Sequence, residues 1–276
     1  MNLDRIFLSE SHPCGKELHY VQHALEAKAI TSGGNVVRDF EEDLECYLGN
    51  NVIVNATNSG TSAIHLGLLL LGVKPGDEVI CQSMTFSASV NPILYIGASP
   101  VFVDSELDTW NMCPIALEEA IQDRISKGKK PKCIIVVDLY GMPYHADRIN
   151  EVANKYGIAV LEDSAEALGS RYKGVPCGTL GDIGVFSFNG NKIITTSSGG
   201  ALLLSDASQK ERAAFLATQA RDAAPYYQHS EIGYNYAMSS IAAAVGRGQL
   251  EVLNSRIQSR RNNHSFYKKL FLPFIK

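Results

Sequence analysis

The feature that most constrains the fold is a regular alternation of short apolar segments with longer amphipathic ones between residues 52 and 162. The short segments are rich in β-branched residues, and the longer ones carry apolar residues at helical spacing, so they predict strands and helices in turn. The predicted strands are 52–55, 78–82, 100–103, 133–137 and 158–162, and the predicted helices between them are 61–72, 87–96, 115–125 and 147–155. This order predicts an α/β fold, a three-layer sandwich with a mainly parallel sheet covered by helices on both faces.

Further elements are predicted on both sides of this region. Two amphipathic helices, 16–28 and 36–48, precede the first strand. Two more strands, 184–188 and 201–204, follow the last one. A helix over 208–221 and a single long helix over 239–261 are predicted at the end of the chain.

Composition removes several classes of protein. The chain has 276 residues, 45% of them hydrophobic, with a net charge of -4, which is typical of a soluble globular protein with one large core. Basic residues are scattered, so no nucleic-acid partner is expected, and no apolar segment is long enough to span a bilayer. Six widely spaced cysteines without a C-x-x-C pair predict neither a metal site nor a disulfide framework, and they favour a reducing cytoplasm.

Lys192 is the first candidate for chemistry. It follows the predicted strand 184–188 and the turn-forming residues 189–191, and it precedes the strand 201–204. Held between two ordered segments, its amine could point into a cleft and form a Schiff base with an aldehyde. The alternative is an ordinary solvated lysine on a polar turn, which is the commoner use of this residue.

Three loop features lie where a parallel sheet places its ligands. Residues 58–62 join a strand to a helix, so their amides and hydroxyls could bind a phosphate at the helix N-terminus, or simply cap the helix. Asp163 follows the strand 158–162 at its carboxyl end, where it could pair with a protonated ring nitrogen or cap a helix. Phe86 follows the strand 78–82, where it could stack on a flat ring or belong to the core. With Lys192, these parts describe a pyridoxal phosphate (PLP) site.

The chain resembles the DegT/StrS-type sugar aminotransferases, which are fold type I enzymes that use PLP to aminate nucleotide-linked keto-sugars. The resemblance extends from about Ile6 to the end of the chain. The motifs that carry it are Phe186-Ser187-Phe188-Asn189-Gly190-Asn191-Lys192 with Gly199-Gly200, Ser59-Gly60-Thr61-Ser62-Ala63, Met84-Thr85-Phe86, Leu161-Glu162-Asp163-Ser164-Ala165-Glu166, and Gly233-Tyr234-Asn235-Tyr236-Ala237-Met238.

The resemblance implies a role for each matching residue. Lys192 would bind the cofactor covalently and later move a proton, and Asp163 would keep the pyridine nitrogen protonated so that the ring accepts electrons. The other implied cofactor-binding residues are Gly60, Thr61, Ser62 and Ser187 at the phosphate, Phe86 on the ring, Glu166 near the phenolic oxygen, and Asn235, which would reach the phosphate across a homodimer interface. The implied partners are therefore a nucleotide-linked keto-sugar, an amino-acid donor and a second copy of the chain. No membrane partner is expected.

Two departures from the family pattern affect the expected substrate and domain organisation. Many members have Gln or His at Glu166, and a carboxylate there would be repelled by the phenolic oxygen unless it holds a proton or binds a substrate group. Glu166 and residues 195–200 resemble the subgroup that acts at C4 of UDP-linked 4-keto-6-deoxy-N-acetylhexosamines. The family also has a small C-terminal domain, so we expect a large PLP-binding domain with N-terminal helices over 1–250 and the start of a small domain over 251–276, with weak sugar turnover.

Three functions are compatible with these residues. Transamination is favoured, because the related sugar 3-dehydratases have His in place of Lys192. A PLP-binding but catalytically impaired homologue with a regulatory or assembly role is the alternative. A nicotinamide-dependent dehydrogenase is disfavoured, because no G-x-G-x-x-G follows the first strand.

Overall fold

The computed structural model describes residues 9–49 and 52–274. Ile6, where the family resemblance was placed to begin, and the outer bounds of the two predicted domains, residues 1 and 276, lie outside the described residues. The helices are α1 (Glu17–Glu26), α2 (Asn35–Leu48), α3 (Gly60–Leu70), α4 (Asn91–Tyr95), α5 (Pro114–Ser126), α6 (Ala146–Tyr156), α7 (Ala207–Ala217), α8 (Ser240–Leu250) and α9 (Leu253–Phe271). The strands are β1 (Ile53–Thr57), β2 (Glu78–Gln82), β3 (Ser99–Val103), β4 (Cys133–Val137), β5 (Ala159–Asp163), β6 (Arg171–Tyr172), β7 (Val175–Pro176), β8 (Ile183–Ser187) and β9 (Gly200–Leu204).

The centre of the molecule is a mixed sheet. Among the described residues it has seven strands in the order β1-β9-β8-β5-β4-β2-β3. The pairs from β3 through β8 are parallel, whereas β9 runs antiparallel to both of its neighbours, β8 and β1. β6 and β7 form a separate two-stranded hairpin. The sheet is therefore mainly parallel, as the alternation of elements predicts.

Helices cover both faces of this sheet. The strand β4 is buried along its whole length, and its residues alternate between two apolar clusters because successive side chains of a strand point to opposite faces. Cys133 and Ile135 pack in the cluster that includes α3 and α7, whereas Ile134 and Val136 pack in the cluster that includes α5 and α6. The predicted three-layer α/β sandwich is confirmed.

Three of the predicted helices are divided or end early in the structure. The single helix predicted over 239–261 is wrong, because α8 ends at Leu250 and α9 begins at Leu253; Val252 between them has φ -104° and ψ 5°. No Gly or Pro marks this break in the sequence. The predicted domain boundary after residue 250 coincides with it, and the division into two domains stays a prediction.

The end of α7 also differs from the prediction, which extended this helix to residue 221. The helix ends at Ala217, and the next residues pair with a distant segment: Thr218 bridges to Asn235, and Gln219 N donates to Tyr234 O. Gln219 has a φ of 63°, which no helix accommodates.

The helix predicted over 87–96 is also divided, into a 3₁₀ turn at Ser87–Ser89 and the short α4. Within the described part of the chain, no helix combines the length and apolar character that crossing a bilayer requires.

Candidate active site

A cavity of about 510 Å³ opens at the carboxyl ends of the parallel strands. This is the edge where α/β sheets bind ligands, because the loops that leave neighbouring strands converge there. The loops after β1, β2, β4, β5 and β8 all contribute residues. The sequence-predicted residues that line the cavity are Gly60, Thr61, Phe86, Asp163, Glu166, Ser187 and Lys192.

Lys192 lies on the loop between β8 and β9 and lines this cavity. Its backbone N–H donates to Asn189 O at 2.9 Å, which closes the turn that the sequence predicts. The side chain is 16% exposed, and its Nζ lies 3.3 Å from Glu166 Oε1. The amine is thus held at the wall of a cleft, unlike a lysine that extends into solvent.

Asp163 is the last residue of β5 and is 4% exposed. Its Oδ2 accepts a hydrogen bond from Ser89 Oγ at 2.6 Å, and its Oδ1 accepts one from Ala165 N at 3.2 Å. Burial raises the pKa of Asp163, while these two hydrogen bonds and the charge of Lys192 oppose that rise. A carboxylate has about four lone-pair sites, so Asp163 can still accept an N–H from a ligand ring.

The N-terminus of α3 forms one end of the cavity. Ser59 caps this helix by accepting from Ser62 N at 3.1 Å, and Gly60 and Thr61 present the next backbone amides to the cavity. A Cβ at Gly60 would lie 2.9 Å from Ser187 Cβ, so glycine allows the helix to approach β8 closely. Free amides at a helix N-terminus favour an anion such as a phosphate.

Two of the predicted phosphate ligands do not line the cavity. Ser62 is 6% exposed, and its Oγ donates to Asn58 Oδ1 at 2.6 Å. Asn235 lies near the end of α7, where its Oδ1 accepts from Gln219 Nε2 at 3.3 Å. A contact between Asn235 and a phosphate across a homodimer interface stays a prediction.

Phe86 is 77% exposed and lines the cavity. A core aromatic of this size would bury most of its ring, whereas this ring is free to contact a flat ligand. The placement is compatible with the predicted stacking role.

Glu166 has two partners that its position in the sequence does not reveal. Oε1 pairs with Lys192, and Oε2 accepts from the backbone N–H of Tyr140 at 2.8 Å. Tyr140 has a φ of 54° and an 84% exposed side chain at the cavity wall. The Glu166 carboxylate thus holds the loop after β4 as well as the lysine.

Sequence reasoning missed Ser89 and gave Thr85 no role beyond its place in the Met84-Thr85-Phe86 motif. The hydroxyls of both residues lie at the cavity end of β2. Ser89 closes the 3₁₀ turn that follows Phe86, and both residues line the cavity. The available signal was a cluster of hydroxyl residues in the loop after a predicted strand, which is where a parallel sheet positions its polar side chains.

Glu162 precedes Asp163 and points to the other side of the sheet. One oxygen of Glu162, one of Asp138 and the sulfur of Cys177 lie within 4.8 Å of one another, and all three side chains are buried. Glu162 accepts from the backbone N–H groups of Gly178 at 2.6 Å and Leu180 at 2.7 Å. Backbone N–H groups therefore already occupy lone pairs of the carboxylate that a metal ion would need as a ligand.

Comparison with known proteins identifies the family. A family model described as the DegT/DnrJ/EryC1/StrS aminotransferase family matches residues 14–273. The chain belongs to this aminotransferase family.

Relatives of the DegT/DnrJ/EryC1/StrS family match nearly the whole chain. EpsN of Bacillus subtilis strain 168, provisionally named a pyridoxal phosphate-dependent aminotransferase, is 52% identical over 264 residues, which are 96% of this chain and 68% of EpsN. The GDP-perosamine synthase of Escherichia coli O157:H7 is 42% identical over 92% of this chain and 68% of its own length. The PLP form of Spr1654 from Streptococcus pneumoniae, provisionally named a sugar aminotransferase, superposes with a TM-score of 0.89 at 30% identity, over 97% of this chain and 71% of that one.

DegT/DnrJ/EryC1/StrS aminotransferases use PLP, and the cavity has the groups that this cofactor needs. An amine, a buried carboxylate, an exposed aromatic ring and a helix N-terminus all face the same space. Neither Thr61 nor Ser187 uses its hydroxyl in a hydrogen bond to another described residue, so both remain available to a phosphate. The residues present therefore fit PLP.

Proposed function

We propose that the chain transfers an amino group from an amino acid, with glutamate as the expected donor, to a nucleotide-linked keto-sugar. The product is an amino-sugar for a surface polysaccharide or another glycan. The observation that carries this proposal is that the Lys192 amine and the Asp163 carboxylate face one cavity beside the N-terminus of α3.

Bound PLP supplies a carbonyl for covalent attachment and a ring that withdraws electrons from the substrate carbon. In the proposed mechanism, the Lys192 amine holds the cofactor and, once released from it, moves a proton to or from that carbon. The Asp163 carboxylate accepts a hydrogen bond from the protonated ring nitrogen and so keeps that proton in place. Phe86 covers one face of the ring, and Thr61, Ser187 and the first amides of α3 bind the phosphate.

The nucleotide of the sugar is the finer part of the proposal. The motif around Glu166 resembles the subgroup that acts on UDP-linked sugars, whereas three relatives are named GDP-perosamine synthases. Both bases must therefore be included in any substrate test. Glu166 lies beside the lysine and is 31% exposed, so it is placed to contact a polar group of the sugar.

We also propose a cytoplasmic homodimer. Support for the reducing compartment comes from six free cysteines. Support for the dimer comes from the loop before Asn235, where the large side chains of Tyr226, Tyr227 and Ile232 are 63%, 80% and 80% exposed. A second copy packed on this loop would cover apolar surface and bring Asn235 close to the partner's cavity.

The first experiment locates the cofactor. The protein is incubated with PLP, reduced with borohydride and digested, and the labelled peptide is expected to contain Lys192. Lys192→Ala should lose the label and still bind PLP, whereas Lys173→Ala, an exposed lysine paired with Asp147 outside the cavity, should keep it. A label on any other lysine would contradict the proposed site.

The second experiment tests the reaction. The PLP-loaded protein is exposed to L-glutamate and then to a panel of GDP- and UDP-linked 4-keto-6-deoxy sugars, and amino-sugar products are identified by mass spectrometry. We expect glutamate to convert the cofactor to its amino form and one or more keto-sugars to convert it back. Binding of PLP at Lys192 without amino transfer from glutamate would favour the regulatory alternative.

A further inference from the structure

The segment after β2 brings the Ser89 hydroxyl against Asp163 and the Thr85 hydroxyl against Ser89. It runs from Ser83 to the 3₁₀ turn Ser87–Ser89, in which Ser89 N donates to Phe86 O at 3.0 Å. This turn places Ser89 inside the protein, where it is 1% exposed. Ser89 and Asp163 are 74 residues apart in the sequence, so the contact depends on the adjacency of their loops at the end of the sheet.

The hydrogen bonds form a chain with a defined direction. Ser89 Oγ lies 2.6 Å from Asp163 Oδ2 and 2.7 Å from Thr85 Oγ1. A hydroxyl has one proton to donate, and an ionised carboxylate can only accept. Ser89 therefore donates to Asp163 and accepts from Thr85, so the order is Thr85 to Ser89 to Asp163.

The surroundings of Asp163 include groups that raise its pKa and groups that lower it, and the Ser89 hydroxyl is one of those that lower it. Burial is the largest influence and raises the pKa of Asp163, and the nearby Glu166 raises it further. The Ser89 hydrogen bond, the Ala165 N–H and the charge of Lys192 lower it. Cys81 on β2, whose thiol pKa is raised, faces the same carboxylate. Without Ser89, Oδ2 would lose its protein donor, and a larger fraction of Asp163 would be protonated and neutral.

We propose that Ser89 is a positioning residue for Asp163, which it holds ionised and aimed at the ring nitrogen of the cofactor, and that Thr85 orients the Ser89 hydroxyl. This proposal rests on the proposed function. The effect of Ser89 passes through the ring nitrogen, so it depends on a nitrogen being present in the ring. A purely structural serine would act equally on any cofactor of the same shape.

The test compares PLP with a carbocyclic analogue in which C–H replaces the ring nitrogen. Dissociation rates of both are measured by the return of free-cofactor absorbance, in the wild type and in Ser89→Ala, Ser89→Thr and Thr85→Val. We expect Ser89→Ala to release PLP about tenfold faster, which corresponds to the loss of one hydrogen bond to a charged group, about 1.4 kcal/mol. Release of the analogue should not change. Ser89→Thr retains a hydroxyl and should restore the wild-type rate.

A second measurement follows the pH dependence of PLP affinity. Because removal of the Ser89 donor raises the pKa of Asp163, affinity in Ser89→Ala should begin to fall at a higher pH on acidification than in the wild type. Equal acceleration with PLP and with the analogue, or an unchanged pH profile, would overturn the proposal.

Two further outcomes keep the proposal separate from the proposed function. If the wild type does not bind PLP at Lys192, the proposed function fails first, and this is visible before any Ser89 variant is made. If Ser89→Ala does not fold, Thr85→Val decides the matter, because it leaves Ser89 and Asp163 in place. Thr85→Val should release PLP a few-fold faster than the wild type and should release the analogue at the wild-type rate. Equal effects on the two dissociation rates would contradict the proposal.

Discussion

Glu162 and Asp163 are neighbouring acids at the end of β5, and both are almost completely buried. Glu162 accepts hydrogen bonds from the backbone N–H groups of Gly178, Leu180 and Gly181 at 2.6, 2.7 and 3.1 Å. Asp163 has one backbone donor and one hydroxyl donor, and it faces the cavity. The pleat of the strand sends the two side chains to opposite faces of the sheet.

The difference in hydrogen-bond donors distinguishes an acid with a structural role from one that can bind a ligand. The protein itself supplies every donor around Glu162, so this carboxylate holds the loop 178–181 against β5. Asp163 keeps acceptor capacity on the cavity side, which a ligand can use. Burial alone does not distinguish them, because the exposed fractions are 0% for Glu162 and 4% for Asp163.

Asp138 shares the enclosed side with Glu162. Burial and the nearby charge of Glu162 raise the pKa of Asp138 well above its usual range. Since Glu162 has three N–H donors that favour its charged form, Asp138 is the member of the pair that carries the proton. Ser164 Oγ lies 2.5 Å from Asp138 Oδ2 and 3.0 Å from Glu162 Oε1, and so connects the two acids.

The largest effect is expected for Asp163→Asn. An opposite-charge pair at about 4 Å is worth roughly 4 kcal/mol at an effective dielectric of about 20. Its loss should slow amino transfer from glutamate by about 10³-fold. Rapid mixing with L-glutamate measures the rate, and urea unfolding of the cofactor-free protein should show little change in stability. A variant with the wild-type rate would break the comparison, because Asp163 would then be as structural as Glu162.

Glu162→Gln is expected to act on stability. The amide directs two N–H donors at backbone N–H groups, so at least one buried donor loses its acceptor. The free energy of unfolding should fall by about 3 kcal/mol, measured by urea denaturation. The affinity of the folded variant for PLP, measured well below its unfolding transition, should change much less than the stability does. A variant that is stable and has lost PLP would show that the enclosed side also serves the cofactor.

Asp138→Asn sharpens the comparison through pH. The folded pKa of Asp138 lies above the unfolded value of about 3.9, so the folded state binds more protons and the wild type loses stability as pH rises through this window. Asn resembles the protonated acid and removes that loss. As the pH rises above about 4, the variant should gain stability relative to wild type, by up to about 1.4 kcal/mol per pH unit, in urea titrations from about pH 4 to about pH 8. A difference that is constant with pH would mean that Asp138 does not hold the proton.

The smallest effect is expected for Ser164→Ala, which removes the hydroxyl between the two enclosed acids. The loss of one hydrogen bond to a charged group should lower the free energy of unfolding by about 1 to 2 kcal/mol. Amino transfer from glutamate should remain near the wild-type rate. A loss of activity larger than the loss of stability would contradict the division between the two sides of β5.

The sequence predicted the sheet well because strand and helix periodicity is a local property. The predicted strands 78–82 and 133–137 have the same bounds as β2 and β4 in the structure. The order of elements also predicted that Lys192 and Asp163 lie at one edge, because parallel strands bring their carboxyl ends together. Fold class and the neighbourhood of the candidate site were therefore accessible from the residues alone.

The tertiary structure decided which groups share hydrogen bonds. Ser62 was predicted at the phosphate, yet its hydroxyl donates to Asn58. Ser89 was not singled out and donates to Asp163, and Thr85, which was named only within a motif, contacts Ser89. The break between α8 and α9 contains no Gly or Pro from which it could have been predicted. Periodicity records how each residue relates to its near neighbours, whereas a hydrogen bond across 74 residues depends on where two loops end in space. That placement is set by the packing of the whole sheet and its helices, which no single segment encodes.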